Sequence, residues 1–261
     1  MINHTFAICA YKESPYLEEC VVSLKKQMLK SEIIMVTSTP NEHIKLIADK
    51  YDIKLYINEG EGGITQDWNF ALSKVKTKYA TIAHQDDIYE EEYSLKITEY
   101  FEKSKKPLIA FTDYSEIRNG EKIYDVPMLK IKRKMLLPFK VRAWWKSKFI
   151  RRRILSLGDP ICCPSVAFCL DNIERPIFNN RFRSCEDWEA WEKLSKLEGD
   201  YIYIPESLMA HRIHADSATT EILQDKARIE ENYIMYCKFW PKFIAKIINK
   251  YYTLSEKSNE I

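Results

Sequence analysis

The chain has 261 residues, of which 46% are hydrophobic and 13% aromatic, so it can bury a large core and is not a disordered protein. Its 40 basic and 38 acidic side chains leave a net charge of +2, so the distribution of charge along the chain is more informative than its sum. The seven cysteines are an odd number without metal-type spacing, which favours a reducing compartment over a disulfide framework.

Two features of the sequence bear on location. The chain begins directly with a strand pattern and lacks the apolar region of a signal peptide. No uninterrupted apolar run approaches the roughly 20 residues that a membrane span requires. We therefore expect a cytoplasmic protein, which can still touch the inner face of the cell membrane.

The first part of the chain alternates strand and helix patterns. Its strand patterns are short and rich in apolar and β-branched residues, and turns and amphipathic segments separate them. Such alternation favours an α/β fold with a mostly parallel, Rossmann-like central sheet, flanking helices and right-handed crossovers. In chain order the strands are predicted at residues 5–10, 32–37, 54–57, 79–83 and 108–112.

The regular alternation stops after Tyr114. Asn119-Gly120 is a strong hairpin signal, and the segment 126–158 contains many cations but no acid. Further strands are predicted at residues 163–168 and 201–204. The predicted division is a domain over 1–220, with a nucleotide-binding half over 1–114 and an acceptor half over 115–220 that includes the basic insertion 126–158, and a basic, aromatic helical tail over 221–261.

Two adjacent acids follow the fourth predicted strand, in the sequence His84-Gln85-Asp86-Asp87. In open α/β sheets, ligands bind at the carboxyl edge of the strands. Adjacent carboxylates beside an imidazole repel each other unless a cation is present, so the pattern predicts a hard divalent metal that carries a phosphate. The alternative is that Asp86 or Asp87 caps the next helix, which explains one acid but not the pair.

Several short motifs follow one another along the chain. They are Ala10-Tyr11-Lys12-Glu13, the strand 32–36, Asn69 with Ala71, His84-Gln85-Asp86-Asp87, Glu186-Asp187, Pro205-Glu206-Ser207-Leu208, His211-Arg212-Ile213-His214 and Ser217. In this order and spacing they resemble the family 2 glycosyltransferases, which are inverting enzymes of the GT-A fold that move a sugar from a nucleotide diphosphate. The resemblance extends to about Thr220.

The resemblance implies a site for a nucleotide-diphosphate sugar and a divalent cation, Mn²⁺ or Mg²⁺. Asp86 would bind the metal and the nucleotide, Asp87 would support it or bind ribose, and His214 would be a third ligand or a phosphate donor. Ordinary packing remains open for Tyr11, and a plain surface role for His214. The other implied nucleotide-binding residues are Ala10, Tyr11 and Glu13 for the base and ribose, Thr37 and Ser38 for the base edge, and Asp67 and Asn69.

Asp187 would be the general base, which takes the proton of the acceptor hydroxyl as that oxygen attacks the anomeric carbon from the face opposite the leaving group. Glu186 would orient Asp187 or bind the acceptor. The alternative is that Asp187 only stabilises the positive end of a helix. Trp188 and Trp191 could carry a sugar ring, although aromatic residues at this spacing more often belong to a core.

The chain departs from the family pattern at three places. His84 stands where the metal signature has its first Asp. Thr37-Ser38-Thr39-Pro40 stands where the second strand usually ends in acids, and Trp68 replaces an arginine that is common before the asparagine. The sequence therefore leaves the metal and the nucleotide open.

Two segments combine cations with aromatic residues, at 130–153 and 236–252. Both suit contact with an anionic membrane, where each cation near the surface contributes about 1 kcal/mol. The alternative is a helix that packs its apolar stripe on the domain and leaves a solvated basic face. Neither segment carries a nucleic-acid recognition motif, so no nucleic-acid partner is expected.

The resemblance implies an inverting glycosyltransferase that moves a sugar from a nucleotide-diphosphate sugar to a glycan or lipid-linked acceptor, in bacterial cell-surface polysaccharide synthesis. One rival is a sugar-phosphate nucleotidyltransferase, which would need a basic residue to activate a sugar phosphate and no essential Asp187. Another is a catalytically silent membrane or nucleic-acid binding module with the same fold.

Overall fold

The computed structural model describes residues 2–214 and 226–257 and confirms the α/β fold. The strands are β1 (His4–Cys9), β2 (Glu32–Thr37), β3 (Lys54–Ile57), β4 (Tyr79–His84), β5 (Ile88–Tyr89), β6 (Pro107–Arg118), β7 (Glu121–Ile123), β8 (Val166–Cys169) and β9 (Asp200–Ile213). The helices are α1 (Leu17–Lys25), α2 (Glu42–Lys50), α3 (Ile64–Lys74), α4 (Tyr93–Glu102), α5 (Pro127–Met135), α6 (Lys148–Leu155), α7 (Glu186–Leu194), α8 (Lys226–Cys237) and α9 (Lys242–Lys257).

One sheet joins all of the described strands, and its first half is parallel. The strand order is β3-β2-β1-β4-β8-β6-β9-β5, with β7 beside β6. β1 pairs in parallel with β2 and β4, and β2 pairs in parallel with β3. β1 and β4 are almost wholly buried, as expected of strands with helices on both faces. Their carboxyl ends therefore meet at one edge of the sheet.

The second half of the sheet is mixed. β8 runs antiparallel between β4 and β6, while β6 and β9 form a long parallel ladder. Asn119 and Gly120 turn the chain at positive φ into β7, as their sequence predicts. β6 continues through residue 114, so the two predicted halves share one sheet, and their separate roles stay a prediction.

Both long strands extend beyond the apolar runs that predicted them. β6 reaches Arg118 although its later residues include Ser115 and Glu116, and β9 reaches Ile213. Pairing between the two strands satisfies their backbone groups along this length, and Ser115 is fully buried there. This extension places residues 211–213 against β6 and brings His214, just after β9, towards the end of β4.

The helical tail is described from Lys226 to Lys257, and the predicted boundary at 220 lies outside the described residues. Met235, Tyr236 and Ala245 are fully buried, so α8 and α9 pack against the domain. Among the helices that the structure describes, none is both long and apolar enough to cross a membrane.

Candidate functional site

The acid pair lies directly after β4, as predicted. One ligand atom from each of His84, Asp86 and Asp87 lies within 4.8 Å of those of the other two. The turn that holds them connects β4 to β5 at the edge where β1 and β2 also end. The sequence order strand, acids, turn therefore produces a compact cluster of carboxylate and imidazole groups.

Asp87 is held in the interior by the end of β9. Its side chain is fully buried, and Oδ1 accepts hydrogen bonds from His211 Nδ1 at 3.0 Å and from the Arg212 backbone N–H at 2.9 Å. Burial alone would raise the pKa of Asp87, but His211, His84 and the Arg212 N–H hold it below its ordinary value. Burial would likewise lower the pKa of His211, but Asp87 raises it to about 9.

Asp86 and His214 face each other at the surface end of the cluster. Asp86 Oδ2 lies 2.9 Å from His214 Nε2, and the two side chains are 19% and 20% exposed, so both reach solvent. Arg212 Nε donates to the Asp86 carbonyl at 2.9 Å, and its guanidinium lies 4.3 Å from the centre of the Tyr16 ring. An ion pair at 2.6 Å between Arg212 and Glu19 completes this support. Sequence reasoning missed Glu19 and Tyr16, which precede or begin α1.

Two buried polar atoms in the cluster have no hydrogen-bond partner among the described residues. They are Asp87 Oδ2 and His84 Nε2. The distance from His84 Nδ1 to Asp87 Oδ2 is 3.9 Å, too long for a hydrogen bond. A buried carboxylate oxygen without a partner is costly, so the cluster is arranged for a cation or a hydrogen-bonding ligand. Carboxylate oxygens together with imidazole nitrogens suit Mn²⁺, and carboxylates with substrate phosphates suit Mg²⁺.

Two of the three departures from the family pattern lie against each other. The ring of Trp68, on α3, stacks on the imidazole of His84 at 5.4 Å between centroids and 17° between planes. Trp68 also packs edge-on against Phe178. The aromatic residue at one departure thus supports the imidazole at the other, and this contact could be found only in three dimensions.

The ends of β1 and β4 are joined by a side chain that the motif itself supplies. The amide of Gln85 bonds to both the N–H and the carbonyl of Tyr11, at 2.9 and 3.0 Å. Tyr11 is 51% exposed and Glu13 is also exposed, whereas Ala10 is buried and its N–H donates to the Val36 carbonyl. Two of the predicted base and ribose contacts can therefore meet a ligand through their side chains, and Ala10 only through its backbone.

The predicted residues on β2 and α3 divide into two groups. Ser38 donates to Asp67 Oδ2 at 2.6 Å and Asn58 donates to Asp67 Oδ1 at 2.8 Å, so Asp67 and Ser38 meet at one edge. Thr37 is fully buried. The Asn69 amide instead makes two hydrogen bonds to the backbone of Phe178. The structure thus gives Asn69 a bracing contact between α3 and a later segment, and its nucleotide role stays a prediction.

Asp187 lies in the first turn of α7, beside a carboxyl group that sequence reasoning missed. Asp159 and Asp187 share a side-chain hydrogen bond, and the charge of Lys132 acts on both. The Trp188 N–H donates to Asp187 Oδ1 at 2.7 Å, and the Ile161 N–H donates to Asp159 Oδ1 at 3.1 Å. One carboxyl oxygen of each acid thus accepts a hydrogen bond from a backbone N–H group. The signal was weak, because Asp159 follows an acid-free segment and belongs to no recognised motif.

The pKa values of both acids are raised. Burial, and then the charge of Asp187, raise the pKa of Asp159 well above its ordinary range. Burial also raises the pKa of Asp187, against the Trp188 N–H, Lys132 and the hydrogen bond from Asp159, which lower it. The pair therefore retains a proton at pH values where two solvated aspartates would both have lost theirs.

The buried carboxyl group of Glu186 should make the unfolding free energy of the protein depend on pH. It is 6% exposed, and burial first, then Asp187 and Glu231, raise its pKa from 4.5 to about 8. The folded protein binds this proton more tightly than the unfolded chain, so the stabilisation is complete below the unfolded pKa and is lost as pH rises through the folded one. In wild type, the unfolding free energy should therefore fall as pH rises from about 4.5 to about 8. We expect Glu186→Gln to reduce the slope of this fall by about 1.4 kcal/mol per pH unit. Denaturant titrations at several pH values test this, and equal slopes for variant and wild type would contradict it.

Helix α8 holds the start of α7 in place. Glu231 accepts hydrogen bonds from the backbone N–H groups of Arg183 and Ser184, both at 2.9 Å, and from the Ser184 hydroxyl at 2.6 Å. Cys185 Sγ donates to Asn232 at 3.3 Å. The predicted tail is thus part of the support of Glu186 and Asp187, which follow immediately.

The thiol of Cys162 is buried close to acids of both clusters. Burial raises the pKa of its thiol, and the carboxylates of Asp87, Asp187 and Asp159 all raise it further, against Lys132. The thiol of Cys162 is therefore close enough to the His84, Asp86 and Asp87 cluster and to the Asp159 and Asp187 pair to be affected by the charges of both. By contrast Trp188 and Trp191 are 2% and 0% exposed, which confirms that they belong to the core.

A sequence-family profile matches the part of the chain that carries the His84, Asp86 and Asp87 cluster. The sequence profile described as Glycosyl transferase family 2 matches residues 5–177, which is more than half of the 261 residues. The match includes the cluster after β4 and Asp159, whereas Glu186, Asp187 and His214 follow its end. No curated protein matches the chain in a sequence search.

Solved structures show the fold of the nearly complete chain. S. aureus TarS 1-349 in complex with UDP-GlcNAc is similar at a TM-score of 0.67 and 16% identity, over 98% of this chain and 72% of that one. The mannosyltransferase PcManGT from Pyrobaculum calidifontis, in complex with GDP-Man and Mn²⁺, is similar at a TM-score of 0.65 and 12% identity, over 98% and 73%. Both likenesses confirm the GT-A fold. Because the family profile matches more than half of its residues, the chain belongs to glycosyl transferase family 2 and is a glycosyltransferase.

Proposed function

We propose that the protein is an inverting transferase that moves a sugar from a nucleotide-diphosphate sugar to a hydroxyl group. The observation that carries the proposal is the cluster of His84, Asp86 and Asp87 at the carboxyl end of β4, with an unpaired buried oxygen on Asp87. Asp187 lies in a second acid cluster, and the charges of both clusters act on the thiol of Cys162. The two similar structures hold UDP-GlcNAc and GDP-Man, which supports a nucleotide-sugar donor.

The donor would bind across the edge formed by β1, β2 and β4. Tyr11, Glu13, Ser38 and Asp67 lie at this edge, and we assign them to the nucleoside. Asp86 and His214 reach solvent and would hold a divalent cation, and the unpaired Oδ2 of Asp87 would support that cation from the buried side. A cation there would neutralise charge on the departing diphosphate. The Mn²⁺ in the similar mannosyltransferase structure supports this assignment.

Asp187 would act as the base of the transfer. It would remove the proton from the acceptor hydroxyl while the oxygen forms a bond to the anomeric carbon on the face opposite the diphosphate. The bond between that carbon and the phosphate oxygen breaks, and its electron pair leaves with the nucleoside diphosphate. Configuration is inverted because attack and departure occur on opposite faces. Glu186 would orient Asp187 or contact the acceptor.

Asp159 would position and tune this base. Its protonated carboxyl donates to Asp187, so we expect Asp159→Ala to raise the pKa of Asp187 and move the acid limb of the kcat/KM profile to higher pH. Asp159→Asn keeps a donor and should move the limb less. A limb that stays in place, or moves to lower pH, in Asp159→Ala would contradict this role.

The acceptor would be a glycan or a lipid-linked sugar in bacterial cell-surface polysaccharide synthesis, and the enzyme would work in the cytoplasm at the inner face of the membrane. Cations and aromatic residues in 130–153 and 236–252 support such contact, because an anionic lipid surface attracts both. We retain the division into a nucleotide-binding half over 1–114, an acceptor half over 115–220 and a tail over 221–261 as part of this proposal.

The linkage formed by the enzyme tests the inverting mechanism. With a donor that turns over, nuclear magnetic resonance of the product would give the anomeric configuration. The proposal predicts the configuration opposite to that of the donor sugar, whereas the same configuration would contradict direct attack assisted by Asp187.

A further inference from the structure

The last helix exposes a row of large apolar side chains. Ala245 is fully buried and Asn249 is 8% exposed, so that side of α9 packs on the domain. Phe243, Ile247 and Tyr251 are 69%, 55% and 70% exposed. Residues four apart lie on one helix face, so these three side chains form a single stripe, which we call the α9 stripe.

A row of lysines runs beside the α9 stripe. Lys242, Lys246 and Lys250 are exposed, and each directly precedes one member of the stripe. One residue corresponds to about 100° of rotation around a helix, so both rows lie on the outward side. A helix of this kind lies in the headgroup layer with its apolar face towards the acyl chains, while lysine ammonium groups reach back to the phosphates.

The surface continues from α9 onto α6. Phe149 is 68% exposed. The guanidinium of Arg153 lies 5.6 Å from the centre of the Phe149 ring and 4.7 Å from that of Trp240, which precedes α9. Cationic and aromatic groups thus alternate from α6 to Trp240, two residues before the start of α9.

Part of the segment 130–153 behaves differently, because four of its eleven cations bind groups inside the protein. Arg151 is fully buried, and Lys132 and Arg133 are only partly exposed. A cation paired within the protein is not available to lipid phosphates. The partners are the carbonyls of Leu197 and Gly199 for Arg151, Glu192 for Arg152, Asp113 for Arg133 and the Tyr114 hydroxyl for Lys132.

We propose that α9 is the membrane-docking element, and that it inserts Phe243, Ile247 and Tyr251 into the headgroup layer of an anionic bilayer. This inference deepens the membrane contact within the proposed function by naming the element and the residues. Charge favours lipid over a second copy of the chain, since two such faces would bring their lysine rows together. A nucleic acid would engage the lysines without needing three exposed apolar side chains.

Vesicle co-sedimentation of the full chain tests the proposal. Phosphatidylcholine vesicles with and without phosphatidylglycerol would be compared for wild type and for the triple variant Phe243→Ser, Ile247→Ser, Tyr251→Ser. The matched control is Ile131→Ser, Leu137→Ser, Val141→Ser, whose side chains are 50%, 52% and 45% exposed within the other segment. We expect the α9 variant to lose about tenfold or more in affinity for phosphatidylglycerol vesicles, and the control in the segment 130–153 to lose much less.

A charge variant supplies a second arm. Lys242→Gln, Lys246→Gln, Lys250→Gln should weaken binding by about 100-fold at low salt, and wild-type binding should fall as salt rises. The side chains substituted in all three variants are exposed, so we expect their thermal unfolding temperatures to match that of wild type. That result would show that the variants fold.

Several outcomes would overturn the inference. They are no binding of wild type to anionic vesicles, loss of binding in the control but not in the α9 variant, or dimerisation through α9 in lipid-free sedimentation. If the protein binds no vesicles but binds RNA through the lysines and not through the α9 stripe, the partner of this surface is a nucleic acid and the inference is wrong. Binding of nucleoside diphosphate would be measured on the same protein. If the nucleotide binds but anionic vesicles do not, the docking inference fails and the proposed function stands.

Discussion

Asp187→Asn should slow glycosyl transfer severely and leave donor binding intact. The substitution keeps the size and the hydrogen bond from the Trp188 N–H but removes the group that accepts the proton. General base catalysis typically contributes about 10² to 10⁴-fold in rate, so we expect a loss of this size in kcat. The measurement is the rate of nucleoside diphosphate release with acceptor present, together with the donor Kd.

Asp171→Asn provides a control for this experiment. Asp171 is an exposed acid in the turn that follows β8, and it contacts neither acid cluster among the described residues. The control should turn over like wild type. Transfer by Asp187→Asn at the wild-type rate would remove Asp187 from the mechanism, and loss of donor binding would instead assign it to the donor site.

Asp86→Ala should remove most of the metal-dependent affinity for the nucleotide. Asp86 supplies the solvent-facing carboxylate of the cluster, and its Oδ2 lies 2.9 Å from His214 Nε2. A change of one supporting group around a bound metal already costs about 10 to 100-fold in affinity, so the loss of a ligand should cost about 100-fold or more. Electron paramagnetic resonance of Mn²⁺ in the presence of nucleoside diphosphate would measure the bound fraction.

Asp49→Asn is the matched control, because Asp49 is an exposed acid on α2. It should bind Mn²⁺ and nucleotide like wild type. Undiminished Mn²⁺ binding by Asp86→Ala would contradict the assignment, and would direct attention to His84 and the unpaired Oδ2 of Asp87.

The sequence was sufficient for the family and the fold because both depend on local signals. The buried strands β1, β2 and β4 are continuous apolar runs, and the acids after β4 stand at a position where the carboxyl edge of a sheet collects ligands. The family match and the similar structures confirm these two predictions. The β4 turn also shows that the predicted cluster of Asp86 with Asp87 forms, although the roles of its members stay predictions.

Contacts between distant segments could not be predicted in this way. Asn69 is bonded to the Phe178 backbone, and Glu231 of α8 binds the turn before α7. Asp159 meets Asp187 because the end of the basic segment folds back to α7. None of these pairs has a periodic or motif signal, since the partners are set by packing of remote elements rather than by local chain order.

The basic segment illustrates how composition can mislead. Its cations are concentrated between residues 130 and 153, yet Arg133, Arg151 and Arg152 bind groups of the protein itself. Charge counted along the sequence does not distinguish a paired arginine from a solvated one. The amphipathic pattern of α9 was visible, but only the structure shows which of its apolar side chains are buried and which face solvent.

Calorimetric titration of the wild-type protein with UDP, GDP and dTDP, each with Mn²⁺ and with EDTA, is the most direct test of a nucleotide-sugar site at the end of β4. The account predicts that one nucleoside diphosphate binds with Mn²⁺ and binds much more weakly with EDTA, and that nucleotide then selects the donor class. No binding of any of the three with Mn²⁺ present would contradict the assignment of the His84, Asp86 and Asp87 cluster to a nucleotide-sugar donor.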